Sequence, residues 1–293
     1  MLLRSVRART AAVAVTALTV LACTSAVTPS RSSAQATADT ATAVPRFSHV
    51  VVVVEENRSY ADIIGKSAAP YLNSLANGGA LFTQSYAIGH PSEPNYLALF
   101  SGSTHGLTND SCPHTYTGAN LGSQLIHAGF SFAGYSESMP STGYTGCSSG
   151  GYVRKHNPWV DFPSNVPASD NRTMKAFATN YSTLPTLSFV VPNLNNDMHD
   201  GSVATGDSWL KAHLGGYAQW AKTHNSLLVV TWDEDDNSAS NHIATIFYGQ
   251  SVKVGRYSTQ LTHYGVLHTL EDAYGLPTDG SSGTAAAVTG AWR

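Results

Sequence analysis

Acidic residues, together with one Asn and one His, follow three short apolar runs in the sequence, and as a group they could hold a metal ion. They are Glu55, Glu56 and Asn57 after the first run, Asp197 and His199 in the loop after the second, and Asp233 and Glu234 after the third. Carboxylates that meet at one place repel one another unless a bound cation or protonation neutralises them. A divalent metal site is the simplest such arrangement, and these ligand types suit Ca, Mg, Mn, Fe or Zn, so metal identity and number stay open. The alternative is that each acid caps a helix or lies in a solvated turn.

Three further positions bear on this site. His263 follows the last strand region and opens a helix, from which its imidazole can face the same edge as the acids. Asp235 and Asp236 directly follow Glu234 in the sequence, and we expect them to be solvated loop acids.

A serine at the start of a helix is the candidate nucleophile. Ser92 lies in the segment Gly89–Tyr96, just before a helix that Pro94 begins. Helix N-termini bind phosphate and stabilise an alkoxide. A metal that coordinates the serine oxygen can take the part of the base in serine hydrolases. Otherwise Ser92 is an ordinary N-cap residue.

One segment suggests acyl hydrolysis but lies at the wrong place for it. Gly206–Leu210 looks like the GDSL signature of lipases and esterases. That motif follows the first strand of its fold, whereas several strands precede it here, so Asp207 or Ser208 is expected to cap the helix that follows. The pattern G-x-S-x-G occurs once, at Gly146–Gly150, but it lies inside the expected capping loop and not between a predicted strand and a helix, which argues against the nucleophile elbow of a Ser-His-Asp triad.

A sheet must position these residues. The continuous apolar runs 49–54, 187–191 and 227–232 predict buried parallel strands, and shorter candidates are 81–86, 130–135 and 243–248. Helical patterns lie at 69–76, 95–100, 121–128, 208–222 and 264–274. This alternation predicts an α/β fold that is doubly wound, with a mostly parallel central sheet flanked by helices. Ligands bind beyond the carboxyl ends of strands in such sheets. We expect a single domain at 47–293, with a capping loop at about 136–171 that is rich in Gly, Ser and Pro.

Composition and the N-terminus indicate an exported globular protein. With 42% hydrophobic and 12% charged residues, the 293-residue chain can bury a core, which excludes a disordered protein. Three arginines precede the apolar run 11–23, which is too short to span a bilayer, and Ala34–Ala36 has the form of a signal peptidase site. We therefore predict a signal peptide at 1–36, a flexible leader at 37–46, secretion, and no stable membrane span. In the alternative interpretation, Cys23 is a lipid-anchor site on the outer face of the cell membrane.

Two further consequences follow from removal of the signal peptide. Residues 1–36 contain four Arg and no acid, so the formal charge changes from -3 to -7, and no nucleic-acid binding is expected of such an acidic chain. Cys112 and Cys147 remain as the only cysteine pair, for which a disulfide is the natural prediction and two free buried thiols are the alternative.

Several short motifs together resemble the bacterial phosphoesterase family, which groups acid phosphatases with phosphatidylcholine-type phospholipases C inside the alkaline phosphatase superfamily. The motifs are Glu56–Tyr60, His90–Tyr96, Lys155–Pro158, Pro192–Gly201, Thr231–Glu234 and His263, in the family's order between Phe47 and Pro277. The resemblance implies a metal-dependent hydrolase that acts on a small phosphate-ester substrate through a phosphoenzyme.

The resemblance also implies roles for individual residues. Ser92 would bear the phosphoryl group, which Asn95 helps to hold, while Lys155 and His156 would contact the phosphate or the leaving group, and His156 or His199 would protonate the leaving group. The implied metal ligands are Glu56, Asn57, Asp197, His199, Asp233, Glu234 and His263. Many superfamily members have an Asp-His pair where this chain has Asp233-Glu234, so metal count stays open.

Three functions fit these observations. The leading interpretation is a secreted phosphomonoesterase similar to acid phosphatases. A phospholipase C-type phosphodiesterase is the alternative among enzymes, although the chain is shorter than family members with extra C-terminal domains. A catalytically silent exported binding protein is the alternative from another class. A sulfatase is disfavoured because no Cys-x-Pro-x-Arg motif is present.

Overall fold

The computed structural model describes residues 43–293. The expected signal peptide, Cys23 and most of the expected leader lie outside these residues. No helix within the described part of the chain is long and apolar enough to cross a membrane.

The described residues form eleven strands and six α-helices, which loops and short 3₁₀ turns connect. The strands are β1 (His49–Glu55), β2 (Ala80–Tyr86), β3 (Phe132–Ser136), β4 (Ser148–Ser149), β5 (Tyr152–Val153), β6 (Asn171–Thr173), β7 (Leu187–Val191), β8 (Ser226–Trp232), β9 (His242–Gly249), β10 (Gly255–Tyr257) and β11 (Leu261–Thr262). The helices are α1 (Tyr60–Ile63), α2 (Pro70–Gly78), α3 (Ser92–Ser101), α4 (Leu121–His127), α5 (Val203–Ala221) and α6 (His263–Tyr274).

Nine of the strands form one sheet in the order β10-β2-β9-β8-β1-β7-β3-β6, with β11 pairing with β2. The valine-rich β1 lies inside the sheet, where its β-branched side chains pack on both faces, and it pairs in parallel with β7 and β8. Only β9 runs antiparallel to its neighbours. The predicted mostly parallel sheet is confirmed, and β1, β2, β3, β7 and β8 all end at the same edge.

Helices cover both faces of the sheet. Val50, Val52 and Val54 face a core that includes residues of α3, α4 and α6, whereas Val51 and Val53 face a core with residues of α2 and α5. Because successive side chains of a strand alternate between faces, Glu55 and Glu56 leave β1 on opposite sides of the sheet. Glu56 is on the side of α3.

Helix α3 is buried along its whole length, since all ten of its residues are buried. Gly102 ends it with a φ of +65°, and a Cβ there would lie 1.8 Å from the backbone oxygen of Asp279. Glycine is therefore required at this helix end.

The GDSL-like segment lies inside a helix. The prediction that Asp207 caps the helix that follows it is wrong, because Asp207 caps a different helix. Helix α5 begins earlier than expected, at Val203, because Ser202 caps it by accepting a hydrogen bond from the backbone N–H of Thr205. The buried Asp207 carboxylate instead accepts the backbone N–H groups of Tyr71 and Leu72, at 3.1 and 2.7 Å, in the first turn of α2.

The stretch 136–171 contains the β4–β5 hairpin and several 3₁₀ turns. A disulfide between Cys112 and Cys147 ties it to the loop after α3, as predicted. Trp159 is buried against β3, where a Cβ on Gly134 would lie 2.1 Å from the indole ring. This stretch is therefore partly built into the core of the protein.

Candidate active site

Ser92 lies at the sheet edge where the parallel strands end. It is the first residue of α3, six residues after β2 ends, and it is buried. Its Oγ donates a hydrogen bond to Glu56 Oε2 at 3.2 Å. The hydroxyl thus lies at a helix N-terminus and against a carboxylate that extends from the end of β1.

Asn95 holds the loop before Ser92, and its side chain is fully used in doing so. Its Oδ1 accepts the backbone N–H groups of Ile88 and Gly89, at 2.9 and 3.1 Å. Its Nδ2 donates to the carbonyls of Gly89 and Pro91 and to Glu234 Oε2 at 3.3 Å. This geometry gives Asn95 a positioning role, and the phosphate contact that the resemblance implies for it stays a prediction.

A buried group of Glu56, His156 and Asp197 could hold a metal ion, because their ligand atoms all lie within 4.8 Å of one another. His156 Nε2 is 3.1 Å from Glu56 Oε1, and His156 Nδ1 is 3.4 Å from Asp197 Oδ2. The imidazole also stacks on the ring of Tyr96, whose hydroxyl donates to Glu56 Oε1. His156, which the sequence suggested as a leaving-group contact, therefore lies among the candidate metal ligands.

Asp233 and Glu234 contact the loops that surround Ser92. Asp233 is buried, and its Oδ1 accepts the backbone N–H of Asn57 at 3.2 Å. Glu234 Oε2 lies 3.0 Å from His90 Nδ1, in the loop just before Ser92. The loops after β1 and β8 and the loop before α3 are thus connected through these two acids.

Burial and mutual repulsion make the acids of this site hard to ionise. Desolvation, with repulsion from Asp233 and Asp197, raises the pKa of Glu56 well above its ordinary value. Burial raises the pKa of Asp197 and of Asp233 to about 7, and burial followed by repulsion from Asp233 raises the pKa of Glu234 to about 9. Burial lowers the pKa of His156 well below its ordinary value, which favours the neutral imidazole that binds metals.

Two buried carboxylate oxygens of the site, Asp197 Oδ2 and Asp233 Oδ2, have no hydrogen-bond partner. Buried polar atoms without partners are costly, and a cation would supply what they lack. The donor set of carboxylates and one imidazole suits a divalent ion, so the residues present fit a metal.

Two further predicted ligands, His263 and His199, each have one ring nitrogen engaged in another contact, and their metal ligation stays a prediction. Nε2 of the buried His263 is 2.7 Å from the backbone carbonyl of Asp233, so it supports the loop that bears Asp233. The half-buried His199 has its Nδ1 2.8 Å from Asp200 Oδ1, while its backbone N–H donates to Asp197. The ring nitrogens in these two contacts are therefore not bonded to the carboxylates of Glu56, Asp197 or Asp233.

The prediction that Asp235 is a solvated acid is wrong. Asp235 is fully buried and accepts the backbone N–H groups of Asn237, Ala239 and Asn241, because it organises the turn that leads into β9. Asp236 is exposed, as expected.

Lys155 lies beside the site but bonds to a residue that the sequence analysis did not single out. Its Nζ donates to Asp110 Oδ2 at 2.7 Å, and Asp110 Oδ1 accepts the backbone N–H of Glu93, the second residue of α3. Asp110, Tyr96 and His90 contact residues of the candidate site, and none of the three was assigned a role from the sequence. Tyr96 and His90 fall inside the motif around Ser92 and could have been found there, whereas Asp110 lies in a loop without a motif.

Comparison with known proteins identifies the family of the chain. The profile of the phosphoesterase family matches residues 66–277. The chain belongs to the phosphoesterase family. It is 57% identical to a phosphatidylinositol-3-phosphatase of Mycobacterium tuberculosis over 86% of this chain and 85% of that protein. It is 34% identical to a phosphate-repressible acid phosphatase of Penicillium chrysogenum over 71% of this chain and 55% of that protein, so it spans about half of the fungal enzyme.

A solved protein of the alkaline phosphatase superfamily from Vibrio parahaemolyticus has a similar fold, with a TM-score of 0.59, 14% identity, and coverage of 83% of this chain and 71% of that one. This phosphoesterase is accordingly a phosphoric ester hydrolase with the alkaline phosphatase fold, as the sequence motifs predicted.

Proposed function

We propose that the protein is a secreted, metal-dependent phosphomonoesterase that works through a phosphoserine on Ser92. The observation that supports this best is the hydrogen bond of 3.2 Å from Ser92 Oγ to Glu56, at a helix N-terminus and beside a buried group of acids and an imidazole. Helix N-termini stabilise the negative charge of a phosphoryl group.

Glu56, His156 and Asp197 would hold the metal. Asn57 and Asp233, which are joined by a backbone hydrogen bond, are further ligand candidates. A bound divalent ion supplies a positive charge that favours an ionised serine and a negatively charged phosphoryl group. Its identity and number are open, because carboxylate and imidazole ligands suit several divalent ions.

The protein's own groups orient the reaction. Glu56 Oε2 accepts the hydrogen bond of Ser92 and so fixes the orientation of the hydroxyl. Asn95 fixes the loop 88–91 that precedes the nucleophile. Ser92 gives its proton to Glu56 Oε2 and attacks phosphorus in line with the departing alcohol, so that the phosphoserine bond forms as the ester bond breaks. A water molecule later cleaves the phosphoserine to give phosphate, and Ser92 regains its proton.

His199 is the better candidate for protonating the leaving alcohol. The imidazole of His156 is buried, with both nitrogens facing carboxylates, whereas the side chain of His199 is 31% exposed and its ring centroid is 6.2 Å from that of His156. An imidazole with access to solvent can regain its proton between turnovers.

The relatives support a monoester substrate. Both phosphatase names describe removal of a phosphate group, and the phosphatidylinositol-3-phosphatase suggests a phosphorylated lipid headgroup as one substrate to test. The disulfide supports export, because disulfides persist in oxidising compartments.

The proposal is tested by turnover of p-nitrophenyl phosphate, bis-p-nitrophenyl phosphate and phosphatidylinositol 3-phosphate with and without divalent metals. We expect metal-dependent monoester turnover, and loss of three or more orders of magnitude in Ser92→Ala, about the size that removal of a nucleophile produces. Ser188→Ala is the matched control, because it removes another buried serine hydroxyl, one with no hydrogen-bond partner.

Each alternative gives a different result in this assay. Faster turnover of the diester than of the monoester would indicate a phosphodiesterase, and no turnover with any metal would indicate a silent binding protein. A folded Ser92→Ala protein with normal turnover would exclude Ser92 as the nucleophile.

A further inference from the structure

Asp110 connects the nucleophile's helix with the lysine beside it. One oxygen, Oδ1, accepts the backbone N–H of Glu93 at 2.9 Å, and the other, Oδ2, accepts Lys155 Nζ at 2.7 Å. Glu93 follows Ser92 in α3. One of the two donors that Asp110 engages therefore belongs to the residue next to the proposed nucleophile, and Lys155 Nζ bonds to the other oxygen of the same carboxylate.

The two segments that carry this ion pair are also joined by other bonds. Cys112, two residues after Asp110, is disulfide-bonded to Cys147. Arg154, the residue before Lys155, donates its backbone N–H to the carbonyl of Cys147 at 2.9 Å and its Nη2 to the carbonyl of His114 at 2.8 Å. The Asp110–Lys155 contact thus lies in a fixed part of the structure, and the side chains are only 26% and 17% exposed. Surface ion pairs between mobile side chains lack this support.

Lys155 directly precedes His156, whose imidazole nitrogens lie 3.1 Å from Glu56 Oε1 and 3.4 Å from Asp197 Oδ2. A phosphate monoester dianion that approaches Ser92 meets these acids, so an ammonium held at a fixed place beside them offsets repulsion.

We propose that Asp110 is a positioning residue: it holds the ammonium of Lys155 beside the N-terminus of α3 and thereby sets the affinity of the site for the phosphoryl dianion. This inference rests on the proposed function. Without the carboxylate, Lys155 Nζ loses its hydrogen-bond partner and is drawn toward the neighbouring acids, where it no longer faces the incoming phosphate.

Asp110→Asn is the informative variant, because asparagine keeps an oxygen for the N–H of Glu93 but removes the charge that holds Lys155. We expect the KM for p-nitrophenyl phosphate and the inhibition constant of inorganic phosphate to rise together by about tenfold, the range of a directly coupled pair. The kcat should stay within about twofold, because Ser92 and Glu56 are unchanged. Asp170→Asn, which breaks the ion pair of Asp170 with Arg172 at 3.4 Å, is the matched control and should change neither constant.

Lys155→Ala and the double variant complete the test. If Asp110 acts through Lys155, the double variant should bind phosphate no more weakly than Lys155→Ala alone. Three results would each overturn the inference. They are losses of phosphate affinity that add in the double variant, tighter phosphate binding in Asp110→Asn, and an unchanged phosphate inhibition constant in Asp110→Asn. If Asp110→Asn does not fold, an unchanged phosphate constant in Lys155→Ala would overturn it, and a tenfold weaker one would support it.

The outcome is distinguishable from failure of the proposed function. An active Ser92→Ala protein would contradict the function itself. Active wild type, inactive Ser92→Ala and a wild-type phosphate constant in Asp110→Asn would contradict this inference alone.

Discussion

At the scale of single residues, the site depends on acids that are buried without enough hydrogen-bond donors. Asp233 shows this most directly, because its Oδ1 has one backbone donor and its Oδ2 has none. A bound cation strongly stabilises a buried carboxylate in this setting, and it stabilises an uncharged amide in the same place much less.

We therefore expect Asp233→Asn to weaken binding of the activating metal by tenfold or more, about the effect of altering a metal site's close surroundings. Asp236→Asn is the matched control three residues along the same loop, because Asp236 is exposed and its carboxylate bonds to the nearby Ser238. Calorimetric titration of the metal-free proteins measures both affinities. Equal affinities in the two variants would place Asp233 outside the metal site.

Sequence reasoning found the residues that follow strands more readily than the residues that contact one another. Glu56 and Asp233 were identifiable because each follows a buried apolar run, and parallel strands end at one edge. The contact of His156 with Glu56 was not, because it joins segments one hundred residues apart through the stretch 136–171, which has no periodic pattern. The same reason explains Asp110, which reaches α3 from an irregular loop.

At the scale of elements, the stretch that carries Lys155 and His156 is fixed by packing under β3. Trp159 follows His156 by three residues, is 1% exposed, and donates its indole N–H to Asn171 Oδ1 at 2.8 Å. Its ring fills the space that a side chain on Gly134 would need. The position of His156 is therefore coupled to the packing of β3 against this ring.

Gly134→Ala should accordingly lower the free energy of unfolding by about 1–3 kcal/mol, the usual cost of overpacking, and should also lower phosphatase activity. Gly290→Ala is the control, since a Cβ there meets nothing within 4 Å. Denaturant unfolding and turnover are measured on both variants. An unchanged stability in Gly134→Ala would show that the indole ring can move aside without loss.

Intrinsic strand propensity sets the boundaries of some elements, and local helix capping sets the boundaries of others. The run 49–54 predicted β1 to within one residue, because its valines allow little else. The start of α5 was missed by five residues, since Val203–Asp207 has no apolar period and only the cap at Ser202 marks it. Helix α3 likewise begins at Ser92, three residues before the pattern that predicted it.

At the scale of the whole molecule, the buried acids link stability to pH and to metal. The pKa values of Asp197 and Asp233 are raised to about 7 and that of Glu234 to about 9, so these three groups bind more protons in the metal-free folded state than in the unfolded chain between about pH 4 and pH 9. The stabilising contribution of these groups is thus fully present below their unfolded pKa values, and it is lost as pH rises through 7 and 9.

We expect the chelated protein to have a lower Tm at pH 8 than at pH 5.5, and a saturating divalent metal to reduce or reverse that difference, because metals bind the ionised ligands. The fall in Tm from pH 5.5 to pH 8 should be smaller in chelated Asp233→Asn, which has no charge to bury at this position. In chelated Asp236→Asn the fall should equal that of the chelated wild type. Thermal melts across this pH range, with and without chelator, provide the measurement. A chelated wild type that is more stable at pH 8 would contradict the linkage.

The complete burial of α3 also limits how this enzyme can diversify. A helix with no solvent-facing position has no site at which a surface substitution could adjust the nucleophile without disturbing the core on every side. We expect natural variants that take new substrates to differ in the loops around its first turn, at 103–120, 137–157 and 193–201, while the helix that presents Ser92 stays the same.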